Sequence, residues 1–140
     1  MDEPLAVAQI TKLARIAAKL RLQPHDKILD IGCGWGGLAF ALASAEPGES
    51  VTSITLSENQ HDCAKTGVEP TPQAKHIHYE LRDYRHQTGQ FDKIVSVGML
   101  EHVGAAHLPS YFASIASSLS PDVKPSCIRL VSAAHPAAVT

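Results

Sequence analysis

Four glycines within six residues, entered directly from a short apolar run, constrain this chain more than any other feature: Asp30-Ile31-Gly32-Cys33-Gly34-Trp35-Gly36-Gly37. Lys27-Ile28-Leu29-Asp30-Ile31 before them reads as a strand. Leu38 to Ala43 after them reads as a helix that lasts until Pro47-Gly48 stops it. A strand, a glycine loop and a helix in this order let the backbone turn sharply and approach a ligand closely. Gly32, Gly34 and Gly37 also satisfy the dinucleotide pattern G-x-G-x-x-G, and Glu58 lies about 20 residues on, where a ribose-binding acid is expected. Two nucleotide classes are open on the glycines alone.

Asp30 favours one of them over the other, with a tight turn that binds no ligand as the third reading. An acid two residues before the first glycine repels a pyrophosphate but suits a cofactor that carries an ammonium and a sulfonium, which are the charges of S-adenosylmethionine. Cys33, in the same loop, has no histidine near it in sequence and reads as a small packed side chain rather than a nucleophile.

The rest of the chain repeats the strand and helix alternation. Leu5 to Leu22 reads as an amphipathic helix, with Ile10, Leu13, Ala17 and Leu20 on one side and Lys12, Arg15, Lys19 and Arg21 on the other, ending before Gln23-Pro24. Strands are predicted at Val51 to Leu56, Ile77 to Leu81, Phe91 to Val97 and Ile128 to Val131. Helices are predicted at Glu58 to Lys65 and at Leu108 to Leu119, and Glu69 to Pro72 is the most loop-like stretch. The order implies an α/β fold: a Rossmann-like parallel sheet with helices on both faces.

At 140 residues the chain has the length of one domain, taken as 1–140. Twelve Lys and Arg against 14 Asp and Glu, without long runs of one sign, argue against a nucleic-acid partner. Three widely spaced cysteines, Cys33, Cys63 and Cys127, fit neither a disulfide framework nor a zinc site. A reducing cytoplasm is expected, because Met1-Asp2-Glu3-Pro4 lacks a secretory n-region and no stretch has the length of a membrane span.

Three further segments join the glycine loop: Ile54-Thr55-Leu56-Ser57-Glu58-Asn59-Gln60, Leu81-Arg82-Asp83-Tyr84-Arg85 and Phe91-Asp92-Lys93-Ile94-Val95-Ser96-Val97-Gly98-Met99-Leu100-Glu101-His102-Val103-Gly104. In this order and spacing they resemble the cyclopropane-fatty-acid and mycolic-acid cyclopropane synthase family, over about Ala8 to Pro121. The resemblance implies a class I methyltransferase core that binds S-adenosyl-L-methionine. Gly32 and Gly34 would lie against its methionine portion, with Asp30 supporting that loop. Thr55, Leu56 and Gln60 would meet ribose and adenine, and Asp83 and Tyr84 would border the adenine. Glu58 then becomes a charge at a helix N-terminus rather than a ribose ligand.

Glu101 follows the fourth strand, at the carboxyl edge where open α/β sheets bind ligands. By resemblance it is the catalytic acid that helps hold a bicarbonate, the base that takes a proton after an alkene attacks the transferred methyl and before the three-membered ring closes. His102 beside it reads as structural or solvent-facing. The implied partner is a cis-unsaturated acyl chain of a phospholipid at a membrane surface. A related enzyme methylating an amine or a lipid without ring closure, or a non-catalytic cofactor-binding fragment, would share these motifs.

The pattern departs from the family at Ser126 to Ala134, where a strand histidine is expected and His135 stands just outside. An upstream capping segment and the terminal antiparallel strands are also missing, so the chain reads as a truncated member, open to self-association through an exposed sheet edge.

Overall fold

The computed structural model describes residues 4–45, 48–122 and 128–131. The expected parallel sheet is present. Its strands are β1 Lys27–Ile31, β2 Ser50–Thr55, β3 Ile77–Leu81, β4 Lys93–Val97 and β5 Ile128–Val131, in the order β3-β2-β1-β4-β5. Every strand pair is parallel. The helices are α1 Leu5–Leu20, α2 Gly37–Ala43, α3 Glu58–Val68, α4 Leu100–Val103 and α5 Leu108–Ser117.

Side-chain alternation along the strands builds two cores. Ile28, Val51, Ile77 and Val95 face α1, α2 and α3, where they meet Ile16, Leu20, Leu42 and Val68. Leu29, Ile31, Ile54 and Ile94 face the other way, onto Tyr111 and Ile115 of α5. In the two central strands Ile28, Leu29, Ile94 and Val95 are buried on alternate faces, so these runs stand out as apolar.

Several boundaries differ from expectation: β2 runs Ser50–Thr55, α3 extends to Val68 and α5 ends at Ser117, and two more have a visible cause. α1 stops at Leu20 because Arg21 turns left-handed, with φ 49°, and Leu22 packs on the first core from the turn. β4 begins at Lys93 rather than Phe91. The Asp92 carboxylate accepts the Lys27 backbone N–H at 2.9 Å, and Phe91 pairs with Leu119 instead of the sheet.

The order reverses between β1 and β4: β1 leads on to β2 on one side, whereas β4 stands beside it on the other. Loops leave such a switch point in opposite directions and open a crevice at the carboxyl ends of the strands. The loop after β1 is the glycine run, and the loop after β4 is Gly98-Met99 leading into α4. Cys127 and His135 lie outside the described residues.

Candidate functional site

A cavity of about 800 Å³ occupies that crevice. Its floor is the turn after β1. The N–H groups of Gly32 and Cys33 both donate to the Ile54 carbonyl, at 2.9 and 3.0 Å, which swings the chain over the end of β2. Gly32, Gly34 and Gly36 have φ of +84°, +53° and +86°. A Cβ on Gly32 would lie 2.6 Å from Cγ of the Met99 side chain, on a backbone already left-handed, whereas a Cβ on Gly34 would meet no protein atom within 4 Å. Gly34 lines the cavity, so its missing side chain leaves the backbone open to whatever binds there.

Asp30 sits beneath this turn and does not line the cavity. It is 1% exposed, and one carboxylate oxygen accepts the Ser53 hydroxyl at 2.7 Å. Burial pushes its carboxyl up to about 6, partly offset by that hydrogen bond. Between about 3.8 and 6 the folded chain holds this proton more tightly than the unfolded one, so the Asp30 contribution to stability falls as pH rises through that window and is level above it. The full effect is on the order of 3 kcal/mol. Asp30→Asn is therefore expected to gain on the parent chain by roughly that amount between pH 4 and pH 7, measured from urea unfolding; a stability difference independent of pH would count against the buried charge. Burial and the Asp30 charge likewise push the Cys33 thiol up to about 11, which makes it a packed group and not a nucleophile.

The far wall begins at the end of β2. The Thr55 hydroxyl oxygen accepts the Ser57 N–H at 3.1 Å and spends its proton on Oε1 of Gln60, also at 3.1 Å. Ser57 caps α3 through the Gln60 N–H. These bonds fix the Gln60 amide with its carbonyl toward Thr55, so its nitrogen is the end with donors to offer the cavity, which Gln60 lines. Leu56, 68% exposed, presents an apolar surface to the same space. Glu58 is exposed in the first turn of α3 and is not among the lining residues.

Asp83 and Tyr84 come after β3 and line the cavity. Asp83 accepts the N–H of Arg85 at 2.8 Å, and both its oxygens are held by the Arg85 guanidinium. That hydrogen bonding keeps its carboxyl below the usual carboxylate range. The Asp83 carboxylate thus serves the turn, while the Tyr84 ring is half-buried at the wall.

The remaining wall is built by α4 and the beginning of α5. His102 and Val103 line the cavity, as do His107 and Ser110; Glu101 is exposed and is not among the lining residues. On a helix, adjacent side chains diverge by about 100°, so the cavity receives the histidine of this pair. The structure therefore gathers Gly32, Gly34, Thr55, Leu56, Gln60, Asp83 and Tyr84 around one space, with Asp30 below it and Glu101 beside it. Sequence reading missed Arg82, Met99 and His107, which also line it; Gly98, left-handed at φ 71°, marks the turn that brings Met99 in. Among the described residues no cluster could hold a metal ion.

Comparison with known proteins agrees on one family. A family model described as mycolic acid cyclopropane synthetase matches residues 1–132. Cyclopropane-fatty-acyl-phospholipid synthase of Escherichia coli K12 is 44% identical over 118 residues, covering 84% of this chain and 30% of the relative. Sphingolipid C9-methyltransferase A of Emericella nidulans is 37% identical over 125 residues, covering 86% and 24%. The chain thus spans about 30% or less of the length of these curated relatives. Among solved structures, a mycolic acid cyclopropane synthase complexed with SAH and CTAB superposes with a TM-score of 0.80 at 30% identity, covering 87% of this chain and 42% of that one. A cyclopropane synthase from Mycobacterium tuberculosis gives 0.79 at 34%, covering 87% and 42%.

Proposed function

The chain belongs to the mycolic acid cyclopropane synthetase family, and from that premise we propose that it binds S-adenosyl-L-methionine and serves transfer of its methyl carbon to a cis-unsaturated acyl chain of a lipid. The observation that carries the reading is the bare Gly34 backbone facing the cavity at the β1/β4 switch point. The other walls fit the same cofactor. Leu56 and the Tyr84 ring offer the two apolar surfaces an adenine needs, and the oriented Gln60 amide offers donors to ribose oxygens. Asp30, buried below the turn, supplies negative potential where a sulfonium and an ammonium would rest.

The cofactor supplies an electrophilic methyl group; the protein supplies position and the exclusion of water. Glu101, exposed in the first turn of α4 and beside the cavity rather than in its lining, is the group proposed to hold a bicarbonate that accepts the proton lost on ring closure. The acyl chain would come from an unsaturated phospholipid at a membrane surface. No helix among the described residues is long and apolar enough to cross a bilayer, and peripheral contact is the proposed mode.

Calorimetric titration of the purified chain tests the reading. S-adenosylmethionine and S-adenosylhomocysteine are expected to bind, and NAD is not. Tighter binding of NAD than of S-adenosylhomocysteine would overturn the assignment. Incubation with S-adenosylmethionine, bicarbonate and unsaturated phospholipid vesicles, followed by mass spectrometry of the acyl chains, then separates ring closure from simple methylation.

A further inference from the structure

Tyr111 is the largest fully buried side chain of the described residues, and it carries a hydroxyl into an apolar core. That hydroxyl donates to Oγ of Ser96 at 2.7 Å, and the Ser96 hydroxyl donates in turn to the Ile31 carbonyl at 3.1 Å. Ile31 and Ser96 are the last paired positions of β1 and β4 before the two strands part around the cavity. The carbonyl at the end of this relay belongs to the peptide that leads into Gly32, the first residue of the glycine turn. The Tyr111 ring also stands edge-on to Tyr84, with centroids 4.9 Å apart and planes at 87°.

A single buried residue therefore reaches two walls of one cavity, the floor through its hydroxyl and the Tyr84 wall through its ring. It also belongs to α5, whose first turn brings Ser110 to the cavity. Core packing alone does not account for a tyrosine here, since phenylalanine would fill the same space without a hydroxyl to satisfy.

We infer that Tyr111 is a positioning residue for the cofactor: through Ser96 it sets the glycine turn under the methionine half, and through its ring it sets Tyr84 against the adenine half. This rests on the proposed cofactor. It predicts a split between two probes. Tyr111→Phe cuts the relay but keeps the ring, so affinity for S-adenosylhomocysteine is expected to fall about tenfold, whereas affinity for 5′-methylthioadenosine, which lacks the amino-acid half, stays the same. Tyr111→Leu removes both links and is expected to weaken both ligands. Ser96→Ala cuts the same relay from its other end, so it should match Tyr111→Phe, and the double variant should be no worse than either.

A general loss of stability would not produce this split. Hydrogen exchange on the ligand-free chain provides a second readout: in Tyr111→Phe and Ser96→Ala the amides of Gly32 and Cys33 should exchange faster, while those of Ile28 and Leu29 do not change. Absence of binding by the unaltered chain would overturn the cofactor reading and this inference with it. Normal binding by the unaltered chain, with unchanged S-adenosylhomocysteine affinity in Tyr111→Phe and Ser96→Ala, would overturn the role of Tyr111 alone.

Discussion

Gly34→Val is expected to weaken S-adenosylhomocysteine binding by about a hundredfold or more while leaving the chain folded. Two facts make the effect selective. A Cβ at position 34 meets no protein atom within 4 Å, so the ligand-free chain has room for it. The backbone there has φ +53°, which costs a residue with a side chain about 1–2 kcal/mol. That is a small part of the roughly 5–15 kcal/mol that hold a domain together. The branched side chain would instead stand in the cavity, where the ligand needs to touch backbone. Gly34→Ala should fall between valine and the parent chain. Titration calorimetry reads the affinity and circular dichroism the fold; unchanged affinity in a folded Gly34→Val would place the ligand elsewhere.

The sheet was legible because its central strands are buried on both faces. Ile28, Leu29, Ile94 and Val95 each fill one of two cores, and a run that must be apolar on both sides stands out from its neighbours. The short elements were not legible. α4 has four residues, Leu100 to Val103, about one turn, which is too short for any period to show. The start of β4 was misplaced because Phe91 is apolar and close to the strand, yet its pairing partner is Leu119, far along the chain. Only tertiary contact decides such a boundary.

The same distinction runs through the site. Backbone requirements could be read directly: glycine after a strand means close approach or positive φ, and Gly32, Gly34 and Gly36 have both the position and the angle. Side-chain direction could not. Asp30 reads as a charge that suits the cofactor and supports the loop, and what the sequence leaves out is that the pleat turns it to the face of its cross-strand partner Ser53, below the turn. Asp83 reads as bordering the adenine; it lines the cavity, and the sequence does not show that both its oxygens are also held by Arg85 two residues later. Of Glu101 and His102 the cavity receives the second. The Tyr111 relay was hidden for the same reason: periodicity marks Tyr111 as core, and only the packing of α5 on β4 brings its hydroxyl to Ser96.

Gly36 and Gly37 are neighbours, yet replacing each with alanine is expected to change stability in opposite directions. Gly36 precedes α2 in a left-handed conformation, φ +86°, and a Cβ there would lie 2.7 Å from the Ala64 Cβ and 2.7 Å from the Tyr79 hydroxyl oxygen. Neither neighbour gives way easily. Ala64 is 4% exposed on α3, and the Tyr79 hydroxyl is held where it is by donating to the Gly36 carbonyl at 3.0 Å. Backbone strain of about 1–2 kcal/mol and overpacking of about 1–3 kcal/mol combine to roughly 2–5 kcal/mol lost, enough to lower the midpoint of thermal unfolding by about 10 °C in a domain of this size. Gly37, the first residue of α2, has no left-handed angle, and a Cβ there meets nothing within 4 Å. Alanine at 37 should stabilise by about 0.4–1 kcal/mol, because it narrows the unfolded ensemble at no cost to the folded one. Urea unfolding of both variants side by side is the check. Equal effects would mean that Gly36 is not the point where α2, α3 and β3 close on one another, and that the turn takes its shape from the cavity side alone.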